Sequence, residues 1–226
     1  MGIQLPRWIW VGAGALAAVA GMVNVVGFLG FEHQAITHLT GTTTLLGAAV
    51  ATGDGVAAAR LLGAALSFLA GAAFGGLLIQ DSTARIGRRY GIALAIESAL
   101  LLAALPLFEH QRFAGPMLAA AACGLQNALA ASVSGAVVRT THVSGMFTDL
   151  GIGLGHALRG LPLPRRRLAL CGLVIACFLA GSVIGALLFV RIGYRALLLP
   201  AAVTGLTGLG YAGYRHLRPL SANEPR

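Results

Sequence analysis

Long stretches of this chain carry almost no charge, and they restrict its fold more than any motif does. Runs of about 18–25 residues with at most one charged side chain recur along its 226 residues. That is the length an α-helix needs to cross roughly 30 Å of hydrocarbon at 1.5 Å per residue. Nothing in these runs alternates with the period of two of a barrel strand, and a helix satisfies its own backbone hydrogen bonds in lipid. Eight candidate segments can be drawn, at 8–30, 36–53, 56–79, 91–108, 114–137, 140–157, 168–190 and 196–213. Only 10% of the residues are charged, against about a quarter in a soluble chain, and the mean hydropathy is +0.82. The expected class is an all-α polytopic membrane protein, a single integral membrane domain over 1–226.

The first run follows Arg7 and contains small residues at 18–20 that imitate a signal-peptidase site. It stays apolar to Gly30 and has a counterpart later in the chain, so it reads as a retained helix.

Two of the eight segments differ from the rest. Segments 36–53 and 140–157 contain ITHLTGTTT and TTHVSGMFTD, far more polar than their neighbours. They are also related to each other. His38, Thr40, Gly41, Thr44 and Gly47 correspond to His142, Ser144, Gly145, Thr148 and Gly151 at a constant offset of 104. Gly21 and Asn24 match Gly124 and Asn127, FLAGAAFGGLL at 68–78 matches FLAGSVIGALL at 178–188, and RIG at 85 matches RIG at 191. The order of the matches is kept throughout. The chain therefore reads as two copies of one unit, about 8–108 and 114–213, followed by a tail at 214–226.

Arginine placement bears on topology. The sixteen basic residues are all arginine, set against seven acids. With eight spans and the N-terminus inside, ten arginines fall inside and six outside. If 36–53 and 140–157 instead enter and leave on one side, the division becomes twelve against four, which the positive-inside rule prefers. Six spans put three in each unit, so the second unit sits inverted relative to the first, as in alternating-access transporters. Seven or eight full spans are the alternative. Both termini are then expected in the cytoplasm of a cell bounded by a bacterial inner membrane.

In the six-span reading the two polar segments dip in from opposite faces and meet. Gly41 and Gly145 permit close backbone approach, and the hydroxyls of Thr40, Thr42 and Ser144 offer donors and acceptors. Half-helix N-termini aimed inward would favour an anionic or polar solute. The competing reading has Thr and Ser bonding to backbone carbonyls and holding helices together. Asn24 and Asn127 suit either substrate contact or cross-helix hydrogen bonding. His38 and His142 are candidates for proton relay, with Asp149 and Glu97, the acids placed most clearly inside membrane segments. Glu97 has a second reading, pairing with an arginine or snorkelling. The repeat mate of Asp149 is the apolar Leu45.

Other chemistry is disfavoured. His33, His38, His142 and Asp149 lack zinc-ligand spacing, so no metal and no cofactor is expected. Cys123, Cys171 and Cys177 lie in apolar runs and read as small buried hydrophobes. No P-loop, nucleophile elbow, HExxH or CxxC is present, and an enzyme is not expected. The arginines sit between hydrophobic runs with no aromatic interleaving, which argues against nucleic acid. The expected partners are the lipid bilayer and a small-molecule solute, and a homo-oligomer is compatible with the sequence.

GMVNVVGFLGF followed by HLTGTTTLLG, then GLQNALA followed by TTHVSGMFTDLG, resembles the YoaK family of small bacterial inner-membrane proteins of unknown function. The resemblance runs from about Gly21 to the last helix, and implies about six spans and small-molecule transport. Two departures stand out. Where that family typically has Asp, this chain has Asn24, and where it has T-G-N, this chain has Thr40, Gly41 and Thr42. The missing carboxylate shifts attention toward Asp149 and the histidines. The leading expectation is a secondary transporter or exporter of a small polar or amphipathic organic solute, using Asn24, His38, Thr40, Gly41, Thr42, Asn127, His142, Ser144, Gly145 and Asp149 at the repeat interface. An uncoupled channel, or a non-transporting scaffold or lipid-binding protein, is the alternative.

Overall fold

A computed structural model describes residues 7–31, 36–79, 88–134 and 139–217. His33, the Arg85–Ile86–Gly87 triplet and the tail beyond Leu217 lie outside these residues. The described chain is helical throughout: α1 (Arg7–Gly30), α2 (Leu39–Ala51), α3 (Gly55–Leu78), α4 (Arg88–Glu109), α5 (Ala114–Val133), α6 (Val143–Leu158), α7 (Arg165–Ile192) and, after a 3₁₀ turn at Gly193–Leu197, α8 (Leu198–Leu217). Four stretches, at Arg7–Gly30, Gly55–Leu78, Arg89–Glu109 and Arg165–Tyr214, are long and apolar enough to cross a bilayer, the last covering α7 and α8. Their outward faces are apolar too, with Leu77 75% and Val190 82% exposed. A surface of that kind belongs in lipid, and the protein is a multi-pass helical membrane protein.

Boundaries depart from the hydropathy reading where local chemistry overrules it. The helices in the two polar segments begin three residues later than drawn, at Leu39 and Val143. The chain just before each is tied to another helix instead: Thr37 N–H bonds to Asn24 Oδ1 at 3.0 Å, and Thr141 Oγ1 accepts from Asn127 Nδ2 at 2.7 Å. Both helices end alike. Asp54 N–H bonds to Ala49 O and Gly53 N–H to Val50 O, while Leu161 N–H bonds to His156 O and Gly160 N–H to Ala157 O. These are Schellman closures, and Gly53 and Gly160 supply the left-handed residue each requires, at φ 72° and 67°. α7 runs on to Ile192 until Gly193, at φ 60°, breaks it. Pro200 then sits in the first turn of α8, where its missing N–H costs nothing.

Small residues decide which helices touch. A Cβ on Gly21 would strike the Phe178 carbonyl of α7, and one on Gly124 would strike the Phe68 carbonyl of α3. Gly181 meets Ala18 in the same way that Gly71 meets Ala121, and Gly185 meets Met22 and Val25 as Gly75 meets Leu125 and Ala128. Thus α1 packs on α7 and α5 on α3 through matched residues, each pair running parallel. The backbones approach closely because no side chain stands between them. α4 and α8 pack the other way round. Gly91 lies against Gly208 and Ala212, Tyr90 against Tyr211, and Ser98 Oγ bonds to Ala201 O, so these two helices are antiparallel.

Candidate functional site

The site is built from the chain leading into α2 and into α6. Asn24 Oδ1 accepts from both the N–H and the Oγ–H of Thr37, at 3.0 and 2.9 Å. In the matching place Asn127 Nδ2 donates to Thr141 Oγ1 at 2.7 Å and to the Cys123 carbonyl at 3.3 Å. Each asparagine therefore ties a non-helical strand of chain to a long helix, one residue before a histidine. His38 and His142 occupy the N-cap positions of α2 and α6 with similar backbone angles, and neither side chain caps its helix. Their imidazoles fold over the third residue of the first turn instead. A Cβ on Gly41 would sit 2.6 Å from His38 Nδ1, and one on Gly145 would collide with the His142 ring. Glycine at these two positions is what gives each imidazole its place.

Both clusters open on one cavity of about 350 Å³. Thr37, His38 and Thr40 line it from one half, and their mates Thr141, His142 and Ser144 from the other. Asn127, Phe68 and the guanidinium-bearing Arg139 complete the wall, and no acid faces it among the described residues. A second cavity of about 510 Å³ adjoins it, sharing Arg139, His142 and Ser144 and adding Gly145, Thr148, Asp149 and Arg167. Volumes of a few hundred cubic ångströms suit a small organic molecule.

Not every expected residue reaches this space. Asn24, Gly41 and Thr42 stand behind the lining. Thr42, Thr43, Thr44 and Thr148 donate their hydroxyls to carbonyls one turn back, at 2.8–3.2 Å. For those threonines the backbone-bonding part of the competing reading is observed, within a single helix and not between helices. Asp149 is engaged by Arg167 in a bidentate pair at 3.0 and 3.2 Å, with Cys171 Sγ at 3.8 Å. Arg167 opens α7, so this pair clips α6 to α7.

Glu97 is placed differently from either expectation. At 1% exposed it does not snorkel, and among the described residues it meets no arginine; it accepts a hydrogen bond from Gln126 Nε2 at 2.8 Å. Gln126 Oε1 in turn lies 2.9 Å from Thr140 Oγ1, which is 3.2 Å from Asn127 Oδ1. Sequence reading passed over Gln126, Thr140, Thr141 and Arg139. Thr37 and Thr141 keep the 104-residue offset of the histidines beside them, so the repeat itself contained that signal.

No group of three or more histidine, cysteine or acidic side chains among the described residues is arranged to hold a metal. The three cysteines are free. No curated protein and no solved structure matches the chain. The profile of one family, described as Protein of unknown function (DUF1275), does match it, over residues 12–210, which take in both polar clusters and every long helix. The chain belongs to that family.

Proposed function

We propose that the protein is a secondary transporter of a small polar organic solute, built as two inverted three-span repeats with its solute site where they meet. The observation that carries this is the cavity of about 350 Å³ faced by three matched pairs, Thr37 with Thr141, His38 with His142 and Thr40 with Ser144. A solute site shared between repeats is what alternating access requires, because rocking one repeat against the other exposes it to either side.

Helix directions support the inversion. Residues of α1 meet α7 as their mates in α5 meet α3, an exchange of the kind produced by a two-fold axis. The antiparallel contact of α4 with α8 favours an axis lying in the membrane plane, since an axis along the normal would leave them parallel. Eight alternating spans would also make α4 and α8 parallel. Counting only α1, α3, α4, α5, α7 and α8, direction alternates along the chain, with both termini on one side, the cytoplasm by arginine placement. α2, at 13 residues, is about 20 Å long, short of the roughly 30 Å of hydrocarbon. α6 has 16 residues, about 24 Å. Their first turns line the cavity beside Arg139, and the N–H groups of a first turn have no partner within the helix, a lining suited to a hydroxylated or anionic solute.

The test uses the full chain, purified and placed in liposomes. A panel of small hydroxylated and carboxylated metabolites is screened by thermal shift, and hits are followed by uptake. Ligands should lose their effect in His38→Ala and His142→Ala. Hits indifferent to both substitutions would overturn the placement of the site, and flux indifferent to any imposed gradient would make the protein a facilitator.

A further inference from the structure

We infer that Glu97 is a proton-binding site wired to the cavity through Gln126 and Thr140, so that the proposed carrier couples its solute to protons. Three observations lead there. First, the carboxyl is sealed inside the bundle with its Oε1 held by Gln126 and its Oε2, among the described residues, without a hydrogen-bond partner. An intramembrane acid left half-satisfied is a place where a proton can come and go.

Second, the contacts beyond it form a line that can respond. With Glu97 ionised, Gln126 donates its Nε2–H to Oε1 and its Oε1 accepts from Thr140 Oγ1. Thr140 has one hydroxyl proton for two acceptors, Gln126 Oε1 at 2.9 Å and Asn127 Oδ1 at 3.2 Å. When one proton from water binds Glu97, its O–H needs an acceptor, and the Gln126 amide can supply one by rotating half a turn. Nε2 then faces Thr140 Oγ1, whose hydroxyl turns to donate to Asn127 Oδ1 alone. Asn127 holds Thr141, which lines the cavity beside His142. No covalent bond other than the O–H of Glu97 is made or broken.

Third, this line exists in one half only. Asn127 and Thr141 have polar mates in Asn24 and Thr37, but Gln126 and Thr140 correspond to Val23 and Ile36, both buried in the apolar core. The fold accepts hydrocarbon at those places, so the polar pair answers some need other than packing.

The groups around Glu97 are Tyr90 on its own helix and Cys123 on α5. On α8, Tyr211 stacks edge-on to Tyr90, while Tyr214 and His216 are exposed. Arg60 of α3 lies over Phe113, and Arg195 of the 3₁₀ turn pairs with Glu109, both at the far end of α4 about 16 Å along the helix. None of these supplies a counter-charge at the carboxyl.

The inference deepens the transport reading and rests on it, but its test needs no solute, so the two can fail separately. The full chain without its three cysteines is reconstituted in liposomes, carrying either Ser144→Cys or Thr40→Cys as a reporter on opposite sides of the cavity. Labelling by a thiol reagent is followed against pH, and the ratio of the two rates cancels the titration of the thiols themselves. Infrared difference spectra on the same samples follow protonated carboxyl groups. The ratio should change several-fold with pH in step with a carboxyl band. Glu97→Gln should remove the band and hold the ratio at its low-pH value. Thr140→Ile, which installs the residue of the other half, should keep the band and flatten the ratio, and it serves should Glu97→Gln fail to fold. A ratio flat in the parent, or one still pH-dependent in Glu97→Gln, overturns the inference, as does a band indifferent to that substitution.

Discussion

Asn24 and Asn127 occupy matched positions yet use their amides differently, so one substitution should have unequal outcomes at the two. Asn24 acts as an acceptor: its Oδ1 takes the N–H and O–H of Thr37. Asn127 acts as a donor toward the Cys123 carbonyl and Thr141 Oγ1. An aspartate at position 24 keeps both acceptances and makes them charge-assisted, each worth about 1.5–3 kcal/mol. That is comparable to the roughly 2.5–3.5 kcal/mol cost of an acid at membrane depth, so Asn24→Asp should change stability by less than about 1 kcal/mol. At position 127 the same acid keeps one acceptance, from Thr140 Oγ1 at 3.2 Å, but its other oxygen faces the Cys123 carbonyl at the 3.3 Å now bridged by an N–H. There one acceptance offsets the charge where position 24 has two, and the N–H bonds to Cys123 and Thr141 are lost, so Asn127→Asp should cost at least about 2 kcal/mol more than Asn24→Asp. Thermal unfolding of the full chain in detergent at neutral pH would read this as a gap of at least about 4 °C. Asn24→Leu strands the buried Thr37 N–H, 5% exposed, and should cost about 1–3 kcal/mol. Equal loss from the two aspartates, or an Asn24→Leu protein as stable as its parent, would refute the reasoning. The resemblance bears on this too, since the related family's usual aspartate at position 24 would make the same pair of acceptances.

Gly71→Ala and Gly181→Ala each drive a Cβ into a backbone carbonyl of the partner helix and should lose about 1–2 kcal/mol apiece, by near-equal amounts, in the same unfolding assay. Gly47→Ala and Gly172→Ala meet nothing within 4 Å and should gain up to about 1 kcal/mol from helix propensity. Asp149→Asn should cost less than about 1 kcal/mol, since the Arg167 side chain it pairs with is 62% exposed; a far larger loss of solute binding than of stability would assign it to the site. Single cysteines at Asp54 and Gln111 should be labelled from outside the cell and one at Arg159 only from within. Eight spans would place all three inside.

The sequence made some parts of this protein easier to see than others. Hydropathy found each long helix to within a few residues, because lipid imposes one length and one polarity on a spanning helix. It misjudged the ends of the polar segments because Thr37 and Thr141 bond to asparagines on another helix, a contact that no local pattern records. The repeat found the histidines and their glycines, since a duplicated cluster keeps its spacing. It could not tell that Thr42 and Thr44 turn their hydroxyls to their own helix while Thr40 lines the cavity. Thr42 lies two residues from Thr40, on the other side of the helix, and Thr44 one turn beyond it on the same side; which face looks inward, and how far the cavity follows it, depend on how α2 lies on α3.

What the duplication hides is as informative as what it shows. Where two halves exchange the same contacts, a residue shared by both serves the common scaffold: Gly21 and Gly124 let helices close, Gly53 and Gly160 end the short helices, and Gly41 and Gly145 seat the imidazoles. For a transporter of two inverted halves, as proposed, direction and energy coupling cannot come from features that look alike from both sides of the membrane. They must come from the departures; of the polar ones, Arg139 opposite Ala35 already lines the cavity, and Thr42 and Thr43, opposite Met146 and Phe147, bond to their own helix. Asp149 faces Leu45 across the repeat, Gln126 faces Val23 and Thr140 faces Ile36. Asp149 already holds an arginine, and its loss would free a clip between α6 and α7. Gln126 and Thr140 hold nothing that the apolar half needs, yet they join the most deeply buried acid to the wall of the shared cavity. If one half of this protein senses something that the other does not, those two residues are where the difference enters.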